Sequence, residues 1–94
     1  AAVIASARRA GTTASLDAIA KYCGIKEMPV VSSTYWNMVH GNTPEEVVKD
    51  LEGMQTMRNV GKNMAWLLKC IDSGKKSGIP VPATETKDKT NFIR

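Results

Sequence analysis

The sequence predicts a mixed α/β fold with parallel strands. Two short apolar runs, Ala2 to Ala7 and Val30 to Ser33, lie on either side of an amphipathic helical pattern. A strand, a helix and a strand in that order form a βαβ unit, whose strands are parallel and whose crossover is right-handed. A longer helical pattern follows the second run. The expected order of elements is therefore β-α-β-α.

The first strand and the first helix are predicted from apolar spacing. The run around Val3 is β-branched and unbroken, which is typical of a strand that is buried on both faces. In the polar turn RRAGTT that follows, Thr12 or Thr13 is expected to cap the helix through its hydroxyl. Gly24 is expected to end this helix in a left-handed conformation. The predicted buried stripe consists of Leu16, Ile19, Ala20 and Cys23.

The second helical region begins at a capping box. Thr43 is the expected N-cap, Pro44 occupies the first helical position, and Glu46 lies three residues after the cap. Gly53 is expected to mark a bend or the end of a short first helix. Gly61 is expected to let another backbone come close. One apolar face is predicted for Val47, Leu51, Met54, Met57, Gly61, Met64, Leu68 and Ile71, with the methionines packing rather than binding metal.

The helical pattern is expected to end between Ser73 and Gly78. Residues 1–72 are predicted to belong to one folded unit, and residues 73–94 are predicted to form an irregular tail that packs on it. Phe92 and Ile93 are expected to hold the end of this tail against the body.

Composition excludes several classes of protein. The net charge of +4 comes from scattered lysines and arginines, so no nucleic-acid partner is expected. No apolar run approaches the roughly 20 residues of a membrane span, and no signal peptide is visible, so a soluble cytoplasmic protein without membrane contact is expected. Cys23 and Cys70 form no metal-ligand motif and are expected to be buried free thiols, with a disulfide or metal site as the alternative.

Two strands are too few to bury the apolar face of the long helix. A parallel sheet needs helices on both faces and more strands beside it, and the first strand would otherwise leave an open edge. The chain begins with AAVIASA, already in a strand pattern. A fragment is therefore expected, whose missing strands come from an absent N-terminal half or from another chain.

Two loops are expected at the same edge of the sheet, because ligands of open parallel sheets bind beyond the carboxyl ends of the strands. One is RRAGTT and the other is YWNMVHGN. A Gly-containing turn beside an aromatic loop suits a flat, partly apolar ring. His40 is interpreted as a hydrogen-bonding loop residue. The alternative, a proton relay, lacks an identifiable carboxylate partner in the sequence.

The runs VIASARRAGTTASLDAIAKY and MPVVSSTYWNMVHGNTPEEVVKDLEGMQTMRNVGKNMAWLLKCI resemble the C-terminal half of flavodoxin-like, NAD(P)H-dependent FMN reductases. The subgroup of iron-sulfur flavoproteins and multimeric flavodoxins is the most similar. The resemblance implies a doubly wound parallel sheet of order 2-1-3-4-5, of which this chain holds the fourth and fifth strands. It also implies a homo-oligomer, either a dimer or a tetramer. The phosphate-binding loop and any iron-sulfur cysteines would lie upstream.

The resemblance also implies which residues contact FMN. The loop after the first strand would lie along the flavin ring, with Gly11 allowing close approach and an arginine stabilising the reduced flavin. Tyr35 and Trp36 would wall the ring or the nicotinamide pocket. The implied cofactor-binding residues are Arg8, Arg9, Ala10, Gly11, Thr12, Thr13, Tyr35 and Trp36, and no catalytic side chain is implied.

The expected function is electron transfer from NAD(P)H through FMN to an acceptor, as part of a larger oxidoreductase. The chain of 94 residues by itself is expected to be inactive, because it holds less than half of a flavin site. The alternative is a non-enzymatic α/β assembly or electron-carrier module that uses the long helix as its interface.

Overall fold

The computed structural model describes residues 1–85 and 88–93. The fold is mixed α/β, as predicted from the order of the sequence patterns. Residues 77–85 and 88–93, which follow the last helix, are irregular. The elements in chain order are β1 (Ala5–Ala7), α1 (Thr12–Ile25), β2 (Met38–His40), α2 (Pro44–Val47) and α3 (Leu51–Lys76).

The two strands form a parallel two-stranded sheet. Ala5 lies opposite Met38, and Ala7 lies opposite His40. The ladder continues at both ends, since the Ala5 N–H donates to the Asn37 carbonyl at 3.0 Å and the Gly41 N–H donates to the Ala7 carbonyl at 3.1 Å. The predicted βαβ order is confirmed. The predicted position of the second strand, Val30 to Ser33, is wrong.

Backbone hydrogen bonds between Ala1 and the segment from Pro29 to Val31 explain why the second strand was misplaced. The Ala1 amino group donates to the Pro29 carbonyl, and the Val31 N–H donates to the Ala1 carbonyl, both at 2.8 Å. This is the bonding pattern of a parallel bridge. The chain then leaves the ladder and returns to it at β2. Two serines end the pairing because they bond to α3 instead: Ser33 Oγ donates to the Thr56 carbonyl, and the Ser32 carbonyl accepts from Asn63 Nδ2.

We call residues 32–37, which loop out between these two pairings, the aromatic excursion. The side chain of Asn37 spans its base and donates from Nδ2 to the Val31 carbonyl at 3.3 Å. Tyr35 and Trp36 are at its outer part and are half exposed. They therefore precede β2, whereas the sequence suggested a loop that follows the second strand.

Helix α1 packs on β1 through a small core. Val3, Leu16 and Cys23 are buried, and Ala5, Ala20 and Met38 pack against them. Ile19, predicted in the buried stripe, is 46% exposed. Ile4 is 51% exposed, so the prediction of a first strand buried on both faces is also wrong. Of the two cysteines, Cys23 is buried as predicted, but Cys70 is exposed; both are free thiols.

Helix α1 begins and ends at residues other than those predicted. Gly11, with φ 93°, is the N-cap, so neither Thr12 nor Thr13 is. A glycine adopts this left-handed conformation without strain and lets the helix begin immediately after the turn. At the other end the helix continues through Gly24 to Ile25. Glu27 takes the left-handed conformation there, with φ 58°.

The capping box at the start of α2 is confirmed in part. The Thr43 hydroxyl accepts from the Glu46 N–H at 3.4 Å, and Pro44 occupies the first turn. The Glu46 carboxylate accepts from the Asn42 N–H at 2.7 Å, one residue before the cap. The helical structure is interrupted between α2 and α3, before Gly53, and Asp50 is the N-cap of α3.

The face of α3 that packs on the sheet differs from the predicted one. Gly53, Thr56 and Val60 are buried, whereas the predicted members Leu51 and Leu68 are 76% and 57% exposed. The buried face is rotated by about one residue position, or roughly 100°. The reason is Gly53: a Cβ there would lie 3.0 Å from the Val39 Cα, so only the bare backbone fits against β2.

The close approach predicted for Gly61 is absent, because nothing in the described part of the chain lies within 4 Å of a Cβ built there. Helix α3 ends at Lys76, inside the predicted stretch, and Gly78 turns the chain with φ 82°. The division of the chain at residues 72 and 73 stays a prediction, although α3 runs across it.

Contacts of Ile79 and Thr84 join the irregular tail to the body. Ile79 packs close to Gly74, and the Thr84 hydroxyl donates to the Glu27 carboxylate at 2.7 Å. Phe92 and Ile93 are 90% and 88% exposed. The prediction that they hold the tail against the body is therefore wrong.

The molecule is flat and open. Its radius of gyration is 17.5 Å, whereas a compact chain of this length would have about 12 Å. Its accessible surface is 7821 Å², against about 5,300 Å² for a compact protein of this mass. Large apolar side chains contribute to this surface, including Trp66 and Leu68 on α3. Within residues 1–85 and 88–93, no helix is long and apolar enough to cross a membrane.

Candidate functional site at the carboxyl end of the sheet

The connection from β1 to α1 leaves the carboxyl end of a parallel strand. Arg8, Arg9, Ala10 and Gly11 are all exposed there. Gly11 has no side chain with which to cap the helix, and the first turn of α1 carries no acidic residue. The N-terminal N–H groups of a helix carry partial positive charge. This turn therefore combines two cationic side chains with backbone donors that lack a side-chain acceptor.

The two threonines at the start of α1 point to different surroundings. Thr12 is buried, and its hydroxyl donates to the Met38 sulfur at 3.3 Å, which ties α1 to β2. Thr13 is exposed. Of the two predicted contact residues, Thr12 therefore uses its hydroxyl inside the protein, and Thr13 presents its hydroxyl to the surface.

The connection after β2 is built around Asp50. Its Oδ1 accepts from the Gly53 N–H at 2.9 Å, and its Oδ2 accepts from the His40 N–H at 2.8 Å. The Gly53 N–H and then the His40 N–H hold the pKa of the Asp50 carboxyl below its usual range, because both bonds favour the charged form; partial burial opposes them. Asp50 thus joins the end of the strand to the start of the helix.

His40 lies beside the same carboxylate. Its Nδ1 is 3.8 Å from Asp50 Oδ2, and its side chain is 36% exposed. The carboxylate partner that the sequence did not identify is therefore Asp50, ten residues along the chain. Asp50 precedes a helical pattern that starts at Leu51, and an Asp in that position is a typical N-cap. The capping role of Asp50 could therefore be predicted from the sequence, but the proximity of Asp50 to His40 could not.

A cavity of about 240 Å³ opens beside this pair. Its polar lining residues include His40, Asp50 and Glu52. An imidazole held next to a carboxylate can pass a proton to a ligand in such a cavity. The residues that line it are Tyr35, Met38, His40, Asp50, Glu52, Gly53 and Thr56.

Tyr35 and Trp36 do not share the edge of the sheet with Arg8 and Gly11. Because they precede β2, they lie toward the amino end of the strand, and the expected meeting of the two loops is wrong in this respect. Their rings contact each other edge to face, with centroids 4.8 Å apart. Tyr35 alone reaches the cavity beside His40. The roles of the predicted residues in flavin contact stay predictions.

No three His, Cys, Asp or Glu side chains within residues 1–85 and 88–93 converge as a metal ion would require. The chain matches no family model, no curated protein and no solved structure.

Proposed function

We propose that this chain is part of an FMN-dependent oxidoreductase that moves electrons from NAD(P)H through the flavin to an acceptor. The observation that supports this proposal is the turn from β1 to α1, where Arg8, Arg9 and the left-handed Gly11 stand at the carboxyl end of a parallel strand. Ligands of open parallel sheets bind at this edge. The donors and charges of this turn suit the carbonyl oxygens or the phosphate of a flavin nucleotide.

When bound, FMN supplies the hydride and electron chemistry. The residues of this chain hold and orient it. Gly11 leaves the backbone accessible, because nothing in the described part of the chain lies within 4 Å of a Cβ built there. The N–H groups of the first turn of α1 donate toward the ring, and an arginine of the turn stabilises negative charge on it.

The rest of the proposed domain is a doubly wound flavodoxin-like sheet of order 2-1-3-4-5, completed by strands from outside these residues or from another chain. An uncovered apolar face of α3 supports the presence of further strands. It is half-buried to exposed, β2 does not cover it, and it consists of Met57, Gly61, Met64 and Leu68. Assembly into a homo-oligomer, a dimer or a tetramer, would cover further surface. NAD(P)H is the proposed electron donor, and an iron-sulfur cluster would need residues beyond this chain.

Flavin binding tests the proposal. FMN fluorescence is titrated with the complete protein, in which the proposed further strands are present, and with the Arg8→Ala/Arg9→Ala double variant of that protein. The expected result is quenching by the unaltered protein and at least roughly tenfold weaker binding by the variant, because two charge-assisted contacts are lost. Lys21→Ala/Lys26→Ala, which removes two exposed cations from the other end of α1, is the matched control and should bind FMN normally. Equal affinities for all three proteins would contradict the proposed site.

A second candidate is a non-enzymatic assembly or electron-carrier module with α3 as its interface. The observation in its favour is the exposed apolar surface of that helix, on which Trp66 is 67% exposed and Leu68 is 57% exposed. Sedimentation of the unaltered protein and of Leu68→Ser separates the candidates. A self-association that Leu68→Ser abolishes, in a protein that binds no flavin, would favour the assembly module.

A further inference from the structure

The outer face of α3 carries a row of four cations, which we call the basic stripe. Its members follow one another at intervals of four, seven and seven residues and are Arg58, Lys62, Lys69 and Lys76. All four are exposed. At about 100° per residue they lie within roughly 40° of one another around the helix, and they span about 27 Å along its axis. Helix α3 thus brings together charges that are scattered along the sequence.

The basic stripe lies opposite the face that packs on the sheet. Gly53, Thr56 and Val60 form that buried face, and they are centred about 180° around the helix from the stripe. A larger sheet would extend beneath the buried face, so it would leave the basic stripe exposed.

Three of the four cations can meet an external anion. Among residues 1–85 and 88–93, Lys76 pairs with Asp72 at 2.7 Å, and the other three members of the stripe form no ion pair. A row of unpaired cations attracts a chain of anions more strongly than a single anion. The expectation of no nucleic-acid partner was based on the scatter of these residues in the sequence, and the helix removes that scatter.

Exposed aromatic rings lie on one side of the basic stripe. Trp66 is 67% exposed, and it lies about 40–60° around the helix from Lys62 and Lys69. Tyr35 and Trp36 of the aromatic excursion are 50% and 57% exposed.

The aromatic excursion is bonded to the same side of α3. Asn59 Nδ2 donates to Thr34 Oγ1 at 3.1 Å, and Asn63 Nδ2 donates to the Ser32 carbonyl at 2.9 Å. Both asparagines lie within about 60° of Trp66 around the helix. The excursion and Trp66 therefore flank the basic stripe together.

This arrangement favours a single-stranded nucleic acid over a membrane surface. The apolar side chains Met57 and Met64 lie about 160–180° around the helix from Trp66. A bilayer that met the basic stripe and the aromatic rings would leave that apolar face outside. A single strand uses both features, because its phosphates meet cations and its unpaired bases stack on aromatic rings.

We propose that the basic stripe and the three exposed rings beside it bind a single-stranded nucleic acid. The phosphates lie along Arg58, Lys62 and Lys69, and unpaired bases stack on the rings. This surface contains no residue of the turn from Arg8 to Gly11, which carries the flavin proposal. Loss of FMN binding and loss of strand binding can therefore be told apart.

Fluorescence anisotropy of a fluorescein-labelled DNA strand of mixed sequence, about 15 nucleotides long, measures the binding by the complete protein. Because three cations neutralise phosphates, the logarithm of the binding constant should fall with the logarithm of the salt concentration with a slope of about −2. The matching duplex, whose bases are already stacked, should bind at least roughly fivefold more weakly.

Two outcomes would overturn the proposal. One is binding of the duplex as tightly as the strand, since stacking on the rings would then contribute nothing. The other is no binding of the strand, including the case in which the protein binds vesicles of phosphatidylcholine and phosphatidylserine instead.

Charge variants locate the phosphates. Lys62→Gln/Lys69→Gln should weaken strand binding and reduce the salt slope from about −2 to about −0.7. Lys21→Gln/Lys26→Gln removes two exposed cations of the α1 region and should leave the slope unchanged. Equal losses in both variants would show attraction by net charge alone and would refute the basic stripe.

Ring variants locate the bases. Trp66→Ala should weaken strand binding at least roughly fivefold without changing the salt slope. Tyr22→Ala, which removes a 73% exposed ring on α1, should have no effect. If the two variants bind the strand equally well, the rings beside the basic stripe do not stack on bases and the proposal fails.

Discussion

The two connections from a strand to a helix differ in how their polar groups are used. After β1, the chain turns through Gly11, and no side chain caps α1. After β2, Thr43 caps α2, and Asp50 caps α3 while also accepting from the His40 N–H. The second connection satisfies its donors internally, whereas the first leaves its donors to the solvent or to a ligand.

This difference shows which of the two connections, both at the carboxyl end of the sheet, is closed by internal hydrogen bonds and which leaves its donors open. The space around the glycines differs in the same way. A Cβ at Gly53 would collide with the Asp50 carboxylate, and a Cβ at Gly41 would lie 2.6 Å from the Val47 nitrogen. At Gly11 the space is open. The second connection is therefore close-packed, and the first is restricted only by its backbone conformation.

The largest expected effect is that of Gly53→Ala. The new methyl group would displace the capping carboxylate and press on the β2 backbone at Val39, so we expect a loss of about 2–3 kcal/mol in the free energy of unfolding. Urea unfolding followed by circular dichroism measures it. Gly61→Ala is the control, since the open space there should make it more stable by about 0.5–1 kcal/mol. Equal stability of the two variants would refute the close packing.

Asp50→Ala should have the next largest effect. It removes the cap of α3 and leaves the His40 and Gly53 N–H groups without their acceptor, which should cost about 1–2 kcal/mol. Asp72→Ala provides the matched comparison, because Asp72 makes an exposed ion pair with Lys76, whose loss should cost about 0.3–0.5 kcal/mol. Thermal unfolding of both variants tests the difference. If Asp50→Ala lowers the free energy of unfolding no more than Asp72→Ala does, Asp50 does not stabilise the second connection.

Gly11→Ala tests the first connection. With φ 93° this residue is in the left-handed region, so an alanine should lose about 1 kcal/mol although no atom obstructs it. Gly24→Ala, in the last turn of α1 at a position without positive φ, should instead gain up to about 0.5–1 kcal/mol. The same unfolding assay applies. A Gly11→Ala protein that is as stable as Gly24→Ala would show that the left-handed turn is not required.

The smallest expected effect is a pH dependence carried by Asp50. Its folded pKa is below the usual 3.8, so in acid the unfolded chain takes up a proton before the folded chain does. The stabilisation is complete above the usual pKa and is lost as the pH falls through the folded pKa. Asp50→Asn should therefore flatten the fall in stability below about pH 4. Asp72→Asn is the control, and an identical acid slope in both variants would argue against the prediction.

Local signals predicted the helices well and the strand pairing poorly. Thr43 and Pro44 identified the start of α2 because a cap and its proline act within one turn. The apolar runs at Val30 and at Met38 are both short, and a short run alone does not reveal which segment pairs with β1. The candidate site was predicted only at the turn from Arg8 to Gly11, since the contact between His40 and Asp50 depends on how α3 docks.

The sequence by itself determined where the helical segments lie, that the strands are parallel, and that α3 ends near Gly78. The helical segments follow from apolar spacing and from the cap of α2, which act over a few neighbouring residues, and the parallel strands follow from the βαβ order. Only the tertiary structure decided that Met38–His40 forms β2, because Ser32 and Ser33 bond to α3 rather than to the ladder. It also decided which face of α3 is buried, since only the bare backbone of Gly53 fits against Val39.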